Sequence, residues 1–339
     1  MSTIVPFIEG GGTFIVDWLD AKLKEYGYNS EVIKIPFCSH PPEMLQQMLA
    51  LRLMDLTNYA DLLITIRTPS YILSHPNKVV WFIHHHRPAY DLFDTPYGMP
   101  RTPEYLRIRE AIIEADNVYL REAKKIYTNS KVISDRLKRF NDIDSEVLYP
   151  PLMDAEKYYS KGYGDYIFYP SRIVSGKRQQ DAIESMKYVK SGVKLVIAGH
   201  SERRDWLDHL ESMVRDNGLS DKVKIIGRWI SQDEKIELFA NALGAIYIPY
   251  DEDSYGYVSL EAYHSKKPVI TCTDSGGTLE VVEDGKTGYV VSPEPQAIAE
   301  AMDKLYFDKA WSQRMGNYGL EKLTSMRITW ETTIQRLVQ

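Results

Sequence analysis

Two acids, two cations and a run of histidines are the residues whose types and spacing could do chemistry together. Asp253 and Glu261 stand eight positions apart around Tyr255-Gly256-Tyr257, where a glycine lets backbone come close to a ligand above it. With Glu261 a turn into a helix, both carboxylates can look over one pocket and accept hydrogen bonds from sugar hydroxyls. Acids near helix starts are also ordinary caps, and alone the pair says no more than that. Arg172 and Lys177 have four residues between them on a loop that follows a strand. A guanidinium fork and an ammonium point charge reaching one spot suit a diphosphate. A solvent-facing basic pair is the plainer reading, and the place at a strand's carboxyl end favours a site.

His84-His85-His86-Arg87 closes another strand. Neighbours on extended chain point to opposite faces, so at most His84 and His86 could share an ion. The remaining histidines show no ligand spacing with them, and no metal site is expected. The better reading is that the strand end delivers one imidazole and Arg87 into a crevice. Residues alone leave open which of the three it is, and the others are packed histidines.

These groups need sheets to position them. Ala245 to Pro249 reads as a buried strand, Val258 to Ser265 as a helix stopped at Pro268, and Pro268 to Cys272 as a strand. Asp274-Ser275-Gly276-Gly277 is a second glycine turn. Strand, glycine loop, helix, twice over, places helix N-termini at the carboxyl edge of a sheet, where anions bind. Tyr166 to Tyr169, Lys194 to Ala198 (ending at Gly199) and Val223 to Ile226 are further strands. Ser231 is expected to cap a helix through Asn241, and Pro295 to Phe307 is another helix. A last helical stretch, Trp311 to Gln339, has Gly316 and Gly319 as its expected breaks.

The first half reads the same way. Thr3 to Ile8, Ser30 to Ile35, Asp61 to Ile66, Lys78 to Ile83, Lys125 to Thr128 and Glu146 to Tyr149 are expected strands. Phe14 to Tyr26, Glu43 to Leu56, Glu104 to Leu120 and Val132 to Phe140 (capped by Ser130) are expected helices. Glu9 to Thr13 is a glycine loop whose glycines are consecutive, unlike the spaced dinucleotide fingerprint. They are expected to form a flexible lip. The chain therefore predicts an α/β protein with domains at 1–150 and 166–319 and a linker at 151–165.

Composition narrows the class. Charged residues are 26% and hydrophobic ones 44%, and the net charge is −6, which argues against a nucleic-acid binder. The two cysteines, Cys38 and Cys272, are expected as buried thiols in a reducing compartment. No apolar run reaches spanning length and no leader is expected, so a cytoplasmic protein is predicted. The basic run from Arg121 to Arg139 reads first as a solvated face. A weak peripheral contact with anionic lipid at the inner face of a membrane is its secondary reading.

The second half, from Ser171 to Val291, closely resembles the retaining glycosyltransferases of family 4. Four motifs agree in order: SRIVSGK, VIAGH, IIGRWISQDEKIELFANA, and Asp253…Glu261 followed by DSGGTLEVVEDGKTGYVV. The first half agrees less specifically through its glycine loop, HHHRPAYD, YTNSKVISDRL and VLYPPL. The resemblance implies the GT-B fold, two Rossmann-like doubly wound parallel-sheet domains facing each other across a cleft, with a terminal helix at 320–339 rejoining the first domain. It implies sugar transfer from a GDP- or UDP-type nucleotide-sugar to a glycan or lipid-linked acceptor, with retention and with no metal or other cofactor. Surface polysaccharide or lipopolysaccharide synthesis would be the setting.

The resemblance also assigns roles. Arg172 and Lys177 would grip the donor diphosphate, Glu261 the ribose hydroxyls, and Asp253 the donor sugar. Backbone from Tyr255 through Gly256 and Tyr257 to Val258 would meet phosphate, with Gly199 beside it. Arg228, Trp229 and Ile230 would lie along the base. Gly11 and Gly12 would close over the diphosphate, and His84 or His86 would face the reacting centre. One departure matters: the family usually has glutamate where this chain has Asp253, and Glu252 stands just before it. Donor identity follows that difference. The competing readings are a nucleotide-sugar epimerase or hydrolase on the same fold, and a non-catalytic nucleotide-sugar-binding partner.

Overall fold

Short runs rich in β-branched and aromatic residues build two larger parallel sheets and a two-stranded one among the described residues. The computed structural model describes residues 1–4, 11–38 and 40–339. Contacts divide them into two units, Met1–Pro151 with Ile328–Gln339, and Leu152–Arg327.

The first unit runs β1 (Ser2–Ile4), α1 (Gly11–Glu25), β2 (Lys34–Pro36), α2 (Pro41–Arg52), β3 (Leu63–Thr65), β4 (Lys78–Phe82), α3 (Pro103–Leu120), β5 (Lys125–Thr128), α4 (Lys131–Asn141) and β6 (Glu146–Val147). Strands β3-β4-β5-β6 form a parallel sheet, with Val80 opposite Ile126. The parallel pair β1–β2 adjoins β3 through Met1, whose ammonium donates to the Ile64 carbonyl at 2.8 Å. Alternation along β4 decides the core. Val80 and Phe82 face a layer from α2, α3 and α4 that includes Met44, Ile112 and Leu137. Val79, Trp81 and Ile83 face Ile15, Val16 and Leu19 of α1 and the last helix, Trp330–Val338, through Trp330 and Ile334. Both faces are covered, as a parallel sheet requires.

The second unit runs β7 (Tyr166–Pro170), α5 (Gln179–Ser185), β8 (Lys194–Ala198), α6 (Arg204–Asp216), β9 (Val223–Ile226), α7 (Gln232–Asn241), β10 (Gly244–Ile246), α8 (Tyr257–His264), β11 (Val269–Cys272), β12 (Gly288–Val291), α9 (Pro295–Phe307) and α10 (Lys309–Ser325). Its six strands are parallel in the order β9-β8-β7-β10-β11-β12. The chain builds outward from β7 to one edge, then returns beside β7 and builds to the other. This is the doubly wound order, with its switch point between β7 and β10.

Four expectations change. Gly11 and Gly12 open α1 instead of a flexible loop, and Glu9 and Gly10 lie outside the described residues, as does Val5 to Ile8 of the first expected strand. Residues 152–165 pack into the second unit rather than spanning between domains, anchored by buried Tyr158. The terminal helix breaks at Met326–Thr329, not at Gly316 or Gly319. Arg327 turns the chain at φ 51°, and Thr329 caps the next helix by accepting from Thr332 N at 3.2 Å. Cys38 is exposed, since β2 ends before it at an edge, whereas Cys272 is buried in β11.

Candidate functional site

Loops that leave β7 and β10 lie side by side at the switch point of the second sheet. Residues 171–178 follow β7 and residues 247–256 follow β10. Backbone ties the two together, with Tyr250 N donating to the Gly176 carbonyl at 3.0 Å. A third loop joins from β11, where Asp251 N donates to the Asp274 carbonyl at 2.9 Å. Side chains complete the clamp. Arg178 forks onto Asp274 at 2.9 and 2.6 Å and lies over the Tyr250 ring at 5.1 Å.

Lys177 sits at the centre. Its ammonium donates to Tyr247 Oη at 2.7 Å, lies 5.0 Å from the Tyr247 ring centroid, and pairs with Glu252. Burial, and then the Glu252 carboxylate, hold the Tyr247 hydroxyl well above its ordinary pKa, so it stays a neutral donor and acceptor. Gly256 follows at φ 69°, and any side chain there would collide with the Tyr247 ring. Only glycine fits both demands. Gly256 then leads directly into α8, whose first turn therefore opens beside Lys177. Tyr255 and Val258 are buried, so their side chains are core, and backbone is what this turn presents.

Glu261 lies one turn on in α8 and is 4% exposed. Lys235 of α7 pairs with its Oε1, which also accepts from Tyr158 Oη at 3.1 Å, and Gln232 Nε2 donates to the same tyrosine at 2.7 Å. Both contacts fall on Oε1, leaving the Oε2 edge of a fixed carboxylate as an acceptor. Arg172 is half turned to solvent and pairs with Glu202 at 3.0 Å. Asp253 is half-buried in the loop beside Glu252, and it is Glu252 that reaches Lys177. Gly199 ends β8, its amide donating to the Ile226 carbonyl at 3.1 Å. Arg228 forks onto Glu234 at 2.9 and 2.7 Å, Trp229 is 54% exposed, and Ile230 precedes the Ser231 cap of α7.

Sequence reasoning missed Arg178, Asp274, Tyr158, Lys235 and Tyr247. Their partners lie up to 103 positions away, as for Tyr158 and Glu261. The only local signals were Arg178 beside Lys177 and Asp274 opening a glycine turn.

In the first unit the three histidines separate. His85 is core: its Nε2 meets Asn141 Oδ1 at 2.8 Å, and its ring packs on Phe82 and Tyr90. His86 is also buried. His84 keeps partial exposure, and its Nδ1 contacts the His85 carbonyl at 2.7 Å. A carbonyl can only accept, so Nδ1 carries the proton and Nε2 offers a lone pair. Burial first, and then the nearby Arg67 and Arg87 guanidiniums, push the His84 pKa down to about 4 against the pull of that backbone bond. Gly12 lies against Ile83 and Arg67, with Arg67 Nε 3.7 Å from where a Cβ would stand. Arg87 is itself fixed by Asp91 at 2.7 Å, which Arg136 shares at 3.4 Å.

The Arg121 to Arg139 run is laced with acids. Lys131 pairs with Asp135 at 2.7 Å, and Lys138 with Asp142 and Asp144 at 2.7 and 3.2 Å. Among the described residues no three His, Cys, Asp or Glu side chains gather as metal ligands, and no helix is long and apolar enough to cross a membrane.

Behind the histidines lies Asp116, which is buried and accepts from Tyr71 Oη at 2.7 Å and Tyr90 Oη at 2.6 Å. The two kinds of group bind protons with opposite consequences. Burial lowers His84, His85 and His86 from 6.5 to about 4, so their stability contribution is full above pH 6.5 and is lost as pH falls toward 4. Burial raises Asp116 from 3.8 to about 6 despite its two tyrosine bonds, so its contribution is full below pH 3.8 and is lost as pH rises through 6. Three groups outweigh one. The urea midpoint should fall between pH 6.5 and 4.5, and Asp116→Asn, lacking the opposing proton uptake, should fall more steeply. A wild-type midpoint that is level or rises on acidification would contradict this assignment of buried neutral imidazoles.

Residues 155–322 match the family described as "Glycosyl transferases group 1". The chain is 34% identical over 139 residues to the alpha-1,3/1,6-mannosyltransferase of Dictyostelium discoideum, covering 40% of this chain and 32% of that protein. It is 30% identical over 185 residues to the capsular polysaccharide biosynthesis glycosyltransferase CapM of Staphylococcus aureus, covering 52% and 47%. The chain thus aligns with about a third to a half of the length of these curated relatives. In fold it is similar to sucrose-phosphate synthase from Thermosynechococcus elongatus, with TM-score 0.77, 17% identity and coverage of 100% and 96% of the two chains. It is also similar to Anabaena HepE in complex with UDP and glucose, with TM-score 0.71, 17% identity and coverage of 99% and 97%. The family match covers nearly the whole second unit, and the chain has the GT-B fold of these structures.

Proposed function

We propose that this protein moves a sugar from a GDP- or UDP-type nucleoside diphosphate sugar to a glycan or lipid-linked hydroxyl, with retention, in surface polysaccharide synthesis. The observation that carries the reading is Lys177, held by Tyr247 at 2.7 Å beside the first turn of α8, at the switch point of the second sheet. A fixed ammonium and helix N–H groups can take up the charge that develops on a departing diphosphate. That supply of positive charge supports a metal-independent reaction. Glu261 Oε2 suits two ribose hydroxyls, Arg172 can leave Glu202 for a phosphate oxygen, and Asp253 or Glu252 can meet the donor sugar. The fold relative HepE binds UDP and glucose, and the sequence relative CapM acts in capsular polysaccharide biosynthesis.

In this scheme the bond from the anomeric carbon to the phosphate oxygen breaks, and the bond to the acceptor oxygen forms on the same face. The acceptor proton passes to the departing phosphate. His84, neutral with Nε2 as an acceptor, suits a hydrogen bond from a sugar hydroxyl rather than a proton transfer near pH 7. Thermal unfolding with UDP-, GDP-, ADP- and dTDP-sugars in EDTA tests the donor half. One base class should raise the midpoint, by mass action on the folded state. No rise with any donor, from a folded sample, would overturn the site. Acceptor-dependent release of nucleoside diphosphate, with the product anomer read by NMR, tests transfer and retention against epimerisation.

A further inference from the structure

The position that the family resemblance marks for sugar contact is Asp253, yet the carboxylate that reaches the central cation is its neighbour. Glu252 pairs with Lys177, and both side chains are mostly shielded from water. The backbone of Glu252 cannot withdraw. Its carbonyl accepts from Gly277 N at 2.8 Å, and its amide is pressed against Gly276 so closely that no Cβ would fit between them. Its side chain also hydrogen-bonds with the Tyr247 hydroxyl, which holds the carboxylate beside the ammonium. Lys177's other neighbour is the Tyr247 hydroxyl, which Glu252, Arg172 and Glu261 all influence electrostatically. A phosphate oxygen that takes a hydrogen bond from Lys177 must therefore come to rest beside a second anion.

We propose that Glu252 is a discriminating residue of the donor site: it weakens binding of the free nucleoside diphosphate more than that of the intact sugar nucleotide. The proposal rests on the diphosphate reading of Lys177. In the donor, the terminal phosphate oxygen is esterified to the sugar, whereas in the product it is ionised, so the product carries more negative charge at the end near Lys177. Like charges at this range in a partly buried site repel by enough to change affinity roughly tenfold per unit charge. The site can thus bind its substrate and still release its product, because the terminal phosphate, once it loses the proton taken from the acceptor, carries the charge that Glu252 repels.

The test is calorimetric titration of UDP, GDP, UDP-glucose and GDP-mannose into wild type, Glu252→Gln and Lys177→Ala at neutral pH. Glutamine keeps the shape and removes the charge, and Glu252→Ala serves if the first variant does not fold. The expected result is that Glu252→Gln tightens whichever nucleoside diphosphate binds by about tenfold more than it tightens its sugar nucleotide, and increases product inhibition accordingly. Equal tightening of both, or none, while Lys177→Ala still loses binding, overturns the role of Glu252 and leaves the donor site standing. Absence of binding by folded wild type removes the diphosphate site and the proposal with it.

Discussion

Lys177→Ala should lower kcat/KM about 10²- to 10³-fold, the usual consequence of removing one preorganised donor from a developing anion. The fold should survive. Lys177 is a loop residue between β7 and α5, and its loss takes a shared cation from Glu252 and the Tyr247 hydroxyl at a partly wet position. That costs about 1–3 kcal/mol, less than breaking a fully buried pair. Lys177→Arg should not restore turnover. The pocket between the Tyr247 ring and the Glu252 carboxylate holds a compact ammonium, and a planar fork would aim its donors elsewhere. The measurement is steady-state transfer alongside a urea midpoint. Wild-type turnover in a folded Lys177→Ala protein would remove the ammonium from the reaction. An unfolded variant would show that its bonds to Tyr247 and Glu252 are worth more than their exposure suggests.

What was legible in the sequence divides along a physical line. Strands β5, β8 and β9 and helix α9 fall where apolar runs and proline placed them, because their signals are local. The Ser130 and Ser231 caps form as expected, each accepting from the amide three residues on at 3.1 Å. The GT-B fold was legible through motif order, and the doubly wound strand order of the second unit follows from alternating strands and helices. What periodicity could not show is who meets whom across loops. Lys177 and Glu252 are 75 positions apart, and Arg178 and Asp274 are 96 apart, so nothing short-range couples them. Glycine misled twice for one reason, since its lack of a side chain serves close packing as well as flexibility. Gly316 and Gly319 stay helical in α10 because they let it press on the Lys266 carbonyl and the Tyr263 ring of the neighbouring turn and helix. Gly11 and Gly12 likewise open a helix, and Gly12 lies against Ile83 and Arg67. Three adjacent histidines could not be told apart either. Only the packing of Asn141, Phe82 and Tyr90 on His85 shows which imidazole is core.

Gly276→Ala should be strongly disruptive, and Gly285→Ala measures why. Both glycines have left-handed backbone, at φ 60° and 68°. An alanine at either pays the same conformational cost, about 1–2 kcal/mol. At Gly285 the added Cβ meets open space, so that cost is the whole effect. At Gly276 it meets the backbone of Asp251 and Glu252, with the Glu252 nitrogen at 2.6 Å, and backbone cannot step aside as a flexible side chain could. Overpacking adds about 1–3 kcal/mol, and the relief available is to push the 251–254 loop away from the 274–277 turn. That motion breaks the Gly277 N to Glu252 carbonyl bond and the Asp251 N to Asp274 carbonyl bond, which set the distance between Glu252 and Lys177. Gly276→Ala should therefore lose about 2–5 kcal/mol by urea unfolding and lose nucleotide affinity in whatever fraction stays folded. Gly285→Ala should lose only the smaller amount and bind as wild type. If the two variants lose equal stability, the loop yields to the methyl without strain, and the glycine turn is not what holds the acidic loop over Lys177.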